Sequence, residues 1–441
     1  MKNEMNHNKD KKQSKIIGLI RSMLRVGVIG FGGGNALIPL IEMEAIDNYG
    51  LATEEEYEED VLVASITPGA LPVEIAGGVG RRCIGPKGLL LGALAMAMPG
   101  VILTILLSSV ITLLSGDVLL QIRYIAVGIT AFIACLLTEY INVSGKQAKA
   151  GGSLPGSIAV ALLVFILTCG KNIYRLFGID GKPPVVLSTI QIFGIAFVVI
   201  LIFGRKYKKE KKKVTLDNQL IIRTLKEICI IFAVTAVLLI TACIFIPETA
   251  EYAAKGFLSS IMSFGGGDAY LTVADGLFVQ TKVIEEGDFY NYLVPVVNII
   301  PGSILCKTLS GVGYFLGYEK TGSPIGGVLV AMTGFMVSIL ASCGIFDIVA
   351  CFHEKFRNMY VIIGIKKWIR PIVSGLMLTV ILSLVVQNKK LGIEAGLGIS
   401  PLILMLLIYI SDLILIYRFK MKNGIVVFLS SVSAFIVCNL I

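Results

Sequence analysis

The chain has 441 residues, 55% of them hydrophobic and 16% charged, with a mean hydropathy of +0.84. A soluble domain carries about 25% charged residues, so the composition argues against a water-soluble enzyme or binding module. The net charge of +9 does not point to nucleic acid, because the basic residues sit in short loops between apolar runs, where the positive-inside rule places them.

The N-terminus, MKNEMNHNKDKKQSK, is polar and basic. No short apolar region with a small-residue cleavage site follows it, so no cleaved leader is expected. Apolar segments then follow at 16–46, 60–80, 88–114, 118–141, 153–169 and 186–203. A basic loop, Arg205 to Lys213, leads to a segment at 220–247. Six more lie at 252–279, 289–316, 323–351, 361–386, 398–417 and 423–440. A span needs roughly 20 apolar residues, so the expectation is an all-α polytopic membrane protein with about thirteen segments in the order six, one, six.

The two sets of six are related. From Phe31 to Phe264 is an offset of 233, and it carries Phe31-Gly32-Gly33-Gly34 onto Phe264-Gly265-Gly266-Gly267. Without a gap, Pro68-Gly69 then falls on Pro301-Gly302, and Gly78-Val79-Gly80 on Gly311-Val312-Gly313. Over 31–80 against 264–313, 14 of 50 positions are identical, and the glycines and prolines align together. The expected organisation is a first repeat over 1–213, a linker helix over 214–251 and a second repeat over 252–441. A single linker helix turns the second unit over, giving inverted repeats of the kind common in secondary transporters. Lysine and arginine collect in alternate loops, which puts the N-terminus in the cytoplasm and the acidic stretch TEEEYEED, 53–60, outside.

The glycine and proline clusters are the candidate site. Three consecutive glycines each cost about 1 kcal/mol of helix stability relative to alanine. In lipid, broken backbone is tolerated where it is buried in protein or lines a cavity. The amides of a helix that restarts after such a break favour an anion. Phe31, Gly32, Gly33, Gly34 and Asn35, with Phe264, Gly265, Gly266, Gly267 and Asp268, are therefore expected to face the substrate route; close packing of small residues is the alternative. Pro68-Gly69 and Pro301-Gly302 interrupt the next segment of each repeat, either as a second pair of broken helices or as plain kinks.

Glu74 lies in an apolar stretch, and the offset carries it onto Lys307. Intramembrane charges usually pair or face an aqueous path. A Glu74–Lys307 pair near the repeat interface is therefore expected, as a charge-coupling element or as a structural ion pair. Asn35/Asp268 and Glu42/Asp275 are further equivalent polar positions. Arg81 and Arg82 close the second segment, where they could attract an oxyanion or anchor the topology.

Other chemistries lack their parts. No phosphate-binding GxxxxGK[ST] loop, GxSxG elbow or HExxH motif occurs. The two histidines, His7 and His353, and nine scattered cysteines without a CxxC pair give no metal site. No catalytic residue, metal or cofactor is expected.

The stretch from Gly30 through Phe-Gly-Gly-Gly-Asn35 to Met43, followed by Thr67-Pro68-Gly69-Ala70 and Gly80-Arg81, resembles the chromate ion transporter family, long two-repeat form. The resemblance implies transport of a small inorganic anion, in family terms chromate, by efflux through the plasma membrane. It covers roughly 16–141 and 252–386. The chain departs from the family pattern with Pro-Gly-Ala and Pro-Gly-Ser at the two breaks, Glu74 where the family often has asparagine, and Asp268 beside the second glycine run. A transporter of a different small solute is the main alternative, with a membrane-embedded enzyme or scaffold behind it. The expected partners are the anion and the bilayer, with a homodimer left open and no nucleic acid.

Overall fold

A computed structural model of the chain describes residues 2–30, 37–114, 116–150, 152–179, 187, 189–203, 218–263, 267–352, 360–421 and 423–440. Among them every regular element is helical. The first repeat holds α1 (Lys2–Ile29), α2 (Ile38–Glu42), which runs into a π-helical turn at Met43–Asn48, α3 (Glu54–Ala64), α4 (Leu71–Ile84), α5 (Pro86–Leu113), α6 (Gly116–Ala150), α7 (Leu154–Phe177) and α8 (Thr189–Phe203). The linker is α9 (Asn218–Phe245). The second repeat holds α10 (Thr249–Ile261), α11 (Gly267–Ala274) with a π-helical turn at Asp275–Val279, a π-helical turn at Asp288–Leu293 leading into α12 (Val294–Ile299), α13 (Ile304–Thr321), α14 (Pro324–Cys351), α15 (Tyr360–Glu394), α16 (Ser400–Tyr417) and α17 (Asn423–Leu440).

Some of these boundaries recur at the sequence spacing. α4 begins at Leu71 and α13 at Ile304, which is the sequence offset, and the first π-helical turn of each repeat falls at an equivalent place. α5 and α14 each have 28 residues, and α6 and α15 each have 35. At 1.5 Å per residue the last two are about 50 Å long, more than the roughly 30 Å hydrocarbon core.

Local sequence explains the ends. Thr53 and Glu56 form a capping box at the start of α3, which supplies orphan amides with acceptors. Pro72 lies in the first turn of α4, where its missing N–H costs nothing. α13 stops at Gly322 in the left-handed conformation, and Ser323 then accepts from the Ile325 amide as α14 begins.

The chain divides into two compact units that do not coincide with the repeats, since each draws on both. In the unit formed by 1–106, 204–267 and 300–363, α14 is central and packs on α13, α9 and α10, and also on α4 and α3. Small residues bring its helices close: a Cβ at Gly80 would stand 2.1 Å from the Gly88 carbonyl oxygen, and one at Gly92 2.2 Å from that of Ala76. In the unit formed by 107–203, 268–299 and 364–441, α6 packs on α16 and α17. A second cluster there joins Val164, Ile192, Ile372 and Leu376.

Among the described residues, seven of the thirteen expected segments are continuous helices long and apolar enough to span: α5, α6, α9, α14, α15, α16 and α17. α9 exposes Phe232, Val237, Ile240, Ile244 and Phe245 along its length, as a lipid-facing helix does. The other six take different forms. Segments 60–80 and 289–316 are interrupted at their Pro-Gly pairs, and in 16–46 and 252–279 the helices α1 and α10 end at Ile29 and Ile261, ahead of glycine runs that begin outside the described residues; 153–169 and 186–203 correspond to α7 and to α8, which has 15 residues.

Candidate functional site at the helix breaks

Residues 31–36 and 264–266 lie outside the described residues, so the expected roles of Phe31, Gly32, Gly33, Gly34 and Asn35, and of Phe264, Gly265 and Gly266, rest on the sequence. Gly267 and Asp268 begin α11. The residues flanking these runs, Gly30 and Ser263, are among the described residues, as are both Pro-Gly breaks.

The breaks are cross-linked. The Gly69 amide donates to the Ser263 carbonyl at 2.9 Å, and the Gly302 amide donates to the Gly30 carbonyl, also at 2.9 Å. These four residues are two equivalent pairs under the offset of 233. The Pro-Gly break of each repeat is thus bonded to the residue that enters the Phe-Gly-Gly-Gly run of the other. Both glycines have positive φ, +138° at Gly69 and +96° at Gly302, a region that L side chains avoid.

Each break also rests on the long helix of the opposite repeat. The Ala70 amide donates to Ser342 Oγ of α14 at 3.0 Å. A Cβ added at Gly100 of α5 would stand 2.5 Å from the Pro301 carbonyl oxygen.

Glu74 and Lys307 occupy equivalent places, and each folds back on its own break. Glu74 Oε2 accepts from the Thr67 hydroxyl at 2.7 Å, while Lys307 Nζ donates to the Ile300 carbonyl. Thr67 and Ile300 are themselves equivalent positions. Glu74 is 0% and Lys307 1% exposed. Among the described residues the expected ion pair between them is not seen: Glu74 Oε1 has no hydrogen-bond partner there. The reason is local. A side chain in the first turn of a helix that restarts after a break lies over the break itself, and the nearest polar group there is the residue seven positions back.

Arg81 and Arg82 are engaged by carboxylates. Arg81 Nη1 donates to Asp347 Oδ1 at 2.7 Å, and Nη2 lies 3.5 Å from Asp60 Oδ1. The Arg81 guanidinium stands 5.6 Å over the Phe346 ring. Arg82 donates twice to Asp60, at 2.8 and 2.9 Å, and once to Glu59 at 2.9 Å. From α9, Arg223 donates to the Arg81 carbonyl at 2.7 Å and to Glu227 Oε1 at 3.0 Å. Asp60, Glu227 and Asp347 were not singled out from the sequence. The signal was present, since acidic residues inside apolar runs at 220–247 and 323–351 are functional candidates by default.

Away from the apolar segments, Glu56 completes the cap of α3. The Thr53 backbone N–H donates to its carboxylate at 2.9 Å and holds it below the usual carboxylate range.

Comparison with known proteins agrees with this architecture. A family model described as "Chromate transporter" matches residues 17–171 and 250–436. The chain is 19% identical over 424 residues to the chromate transport protein of Pseudomonas aeruginosa, covering 93% of this chain and 89% of that one. It is 28% identical over 195 residues to an uncharacterized transporter of Bacillus subtilis, covering 44% of this chain and 88% of the relative. An uncharacterized transporter of Methanocaldococcus jannaschii is 23% identical over 344 residues, 75% of this chain and 76% of the relative. No solved structure matches.

Proposed function

We propose, from the premise that the chain belongs to the chromate transporter family, that it is a secondary-active transporter of an inorganic oxyanion, carrying chromate out of the cell across the plasma membrane. The chain is a multi-pass membrane protein of a transporter family. Its N-terminus lies in the cytoplasm, and the repeats 1–213 and 252–441, joined by the linker at 214–251, run in opposite directions. The two matched stretches, 17–171 and 250–436, support that division.

The observation that carries the reading is the pair of crossed hydrogen bonds, Gly69 to Ser263 and Gly302 to Gly30. It brings the entrance of each Phe-Gly-Gly-Gly run against the Pro-Gly break of the other repeat, and broken backbone of this kind is the usual material of a transporter's binding site. In this reading Phe31–Asn35, Phe264–Asp268, Pro68-Gly69 and Pro301-Gly302 line the route, and Glu74 and Lys307 set its charge. Proteoliposomes loaded with labelled chromate provide the test. Flux that unlabelled chromate or sulfate suppresses supports the reading, and absence of flux for every oxyanion tried rejects it.

One observation favours a second reading. Glu74 sets a buried carboxyl with an unpartnered oxygen beside the first break, and Asp268 follows the second glycine run. Acidic groups repel a dianion, so a different small solute fits these positions as well. Uptake of uncharged and cationic solutes in the same vesicles decides between the two.

A further inference from the structure

The first Pro-Gly break carries a carboxyl unlike the others around it. In the unit formed by 1–106, 204–267 and 300–363, Glu44, Asp60, Glu74, Glu227 and Asp347 are each exposed by 1% or less. Four of them have an arginine: Arg25 stands 3.2 Å from Glu44, Arg82 2.8 Å from Asp60, Arg223 3.0 Å from Glu227 and Arg81 2.7 Å from Asp347. Among the described residues Glu74 has the Thr67 hydroxyl, 2.7 Å from Oε2, while Oε1 has no hydrogen-bond partner. A buried carboxylate without a cation is costly as an anion and is neutralised by a proton instead.

Thr67 shows how that proton is held. Its Oγ1 lies 3.2 Å from the Val63 carbonyl oxygen, 3.2 Å from that of Ala64 and 2.7 Å from Glu74 Oε2. A hydroxyl has one proton and two lone pairs. With the acid ionised, the Thr67 proton points to Oε2 and the two carbonyls go without it. With the acid neutral, Oε2–H donates to Thr67 Oγ1, and the Thr67 proton turns to Val63 or Ala64. A separation of 2.7 Å is ordinary for O–H···O in either direction. Both states therefore fit the same heavy-atom positions and differ by one proton and one hydroxyl rotation.

We propose that Glu74 is a reversible proton-binding site, with Thr67 as the partner whose hydrogen bond reverses. Protonation forms an O–H bond at Oε2 with a proton taken from the aqueous phase, and release returns that proton to water. The event is felt at the break. Thr67 precedes Pro68-Gly69, where the Gly69 amide holds the Ser263 carbonyl and the Ala70 amide holds Ser342 Oγ. Glu74 Oε1 and Ser342 Oγ stand 2.2 and 2.9 Å from the point a Cβ on Gly69 would occupy. Charge appearing on Oε1 thus lies directly against the broken backbone and Ser342 of α14. One consequence rests on the reading of the breaks as the substrate route. Lys307 is bonded at the second break, and neutral Glu74 leaves no charge at position 74 to oppose an oxyanion, whereas ionised Glu74 repels it. Proton and oxyanion then bind together, each raising the affinity for the other.

The elements packed against α4 bring further titratable groups. α14 presents Cys343, whose Sγ lies 3.9 Å from the Val73 carbonyl oxygen, and Asp347. α3 presents Asp60, with Oδ2 2.7 Å from where a Cβ on Gly78 would be, and Tyr57, whose hydroxyl donates to the Ile38 carbonyl. α1 carries Arg21 and Arg25, α2 carries Glu42, and Cys306 and Lys307 lie on α13. Asp60 and Asp347 already have their arginines, so Glu74 is the buried carboxyl of this set that a proton relieves most.

The proton site is tested on the purified full-length protein without substrate. Its infrared difference spectrum between acid and alkaline pH is expected to contain a protonated-carboxyl band that Glu74→Gln removes. Thr67→Val is expected to move that band to higher frequency, because the O–H loses its acceptor, and Thr67→Ser to restore it. The proposal is overturned if Glu74→Gln leaves every carboxyl band in place, if the band ignores pH as a permanently neutral acid would, if Thr67→Val does not move it, or if sodium displaces it at constant pH. If Glu74→Gln fails to fold, Glu74→Asp takes its place, and a band that keeps both its frequency and its midpoint overturns the proposal. Coupling is tested with sulfate, a dianion throughout this range, alongside chromate. The wild type is expected to bind the anion about tenfold more weakly per pH unit above the midpoint, the slope for one linked proton, and to take up a proton on binding; Glu74→Gln is expected to lose both effects. Anion binding by the wild type that ignores pH overturns the coupling. No anion binding or flux at any pH overturns the transporter reading and leaves the infrared result standing.

Discussion

Gly69 and Ser263 belong to different repeats, yet the amide of one is bonded to the carbonyl of the other at 2.9 Å, and Gly302 and Gly30 repeat the bond. Both donors have a backbone conformation suited to glycine, but their surroundings differ. A Cβ at Gly69 would stand 2.2 Å from Glu74 Oε1, whereas one at Gly302 would meet nothing closer than 3.7 Å. Gly302→Ala is therefore expected to cost about 1–2 kcal/mol from the dihedral angle alone, and Gly69→Ala more. Thermal unfolding in detergent ranks the two, and an equal or larger loss for Gly302→Ala contradicts the argument.

Glu74 and Lys307 each bond to their own break. Exchanging their charges, Glu74→Lys with Lys307→Glu, is expected not to recover the stability or flux that Glu74→Gln and Lys307→Met lose separately. A coupling energy in the double-mutant cycle above about 1 kcal/mol would show a direct pair instead.

Arg81 is buried between Asp347 and Asp60. Arg81→Met leaves both acids without their shared cation and is expected to destabilise the protein by about 3–5 kcal/mol. Arg81→Lys is expected to recover only part, because one ammonium cannot span two acids as a guanidinium fork does. Unfolding midpoints of the two variants test this, and full recovery by lysine speaks against the fork.

At the α3 cap, Thr53→Ala is expected to cost about 1 kcal/mol. Glu56 adds a pH dependence of known sign. Its carboxyl is held low in the folded protein by the Thr53 amide, so its contribution is present above the unfolded carboxylate value and fades as pH falls through the folded one. The site is exposed, so the size is about 0.5 kcal/mol or less. Wild type and Glu56→Gln should differ near neutral pH and converge on acidification; a gap that widens reverses the sign.

The proposed opposite orientation of the repeats would place 53–60 and 281–287 on opposite sides of the membrane. Single cysteines introduced in each stretch of a background without native cysteines are expected to react with an impermeant thiol reagent from opposite faces. Labelling of both from one face removes the inversion.

Much of this was legible in the chain because it depends on local rules. Apolar runs near twenty residues long predict helices in lipid whatever their neighbours, and glycine or proline interrupts a helix through its own backbone. The Pro-Gly pairs at 68–69 and 301–302 interrupt 60–80 and 289–316 as their composition required. What lies between copies was not legible. Equivalence under a repeat says that Glu74 and Lys307 occupy matching places; it does not say that they touch, and each takes the polar group nearest in its own chain. The bonds from Gly69 to Ser263 and from Gly302 to Gly30, and the ion pair of Arg81 with Asp347, join residues far apart in sequence. Hydrogen bonds and charges act over a few ångströms, so which groups meet is decided only when the helices pack.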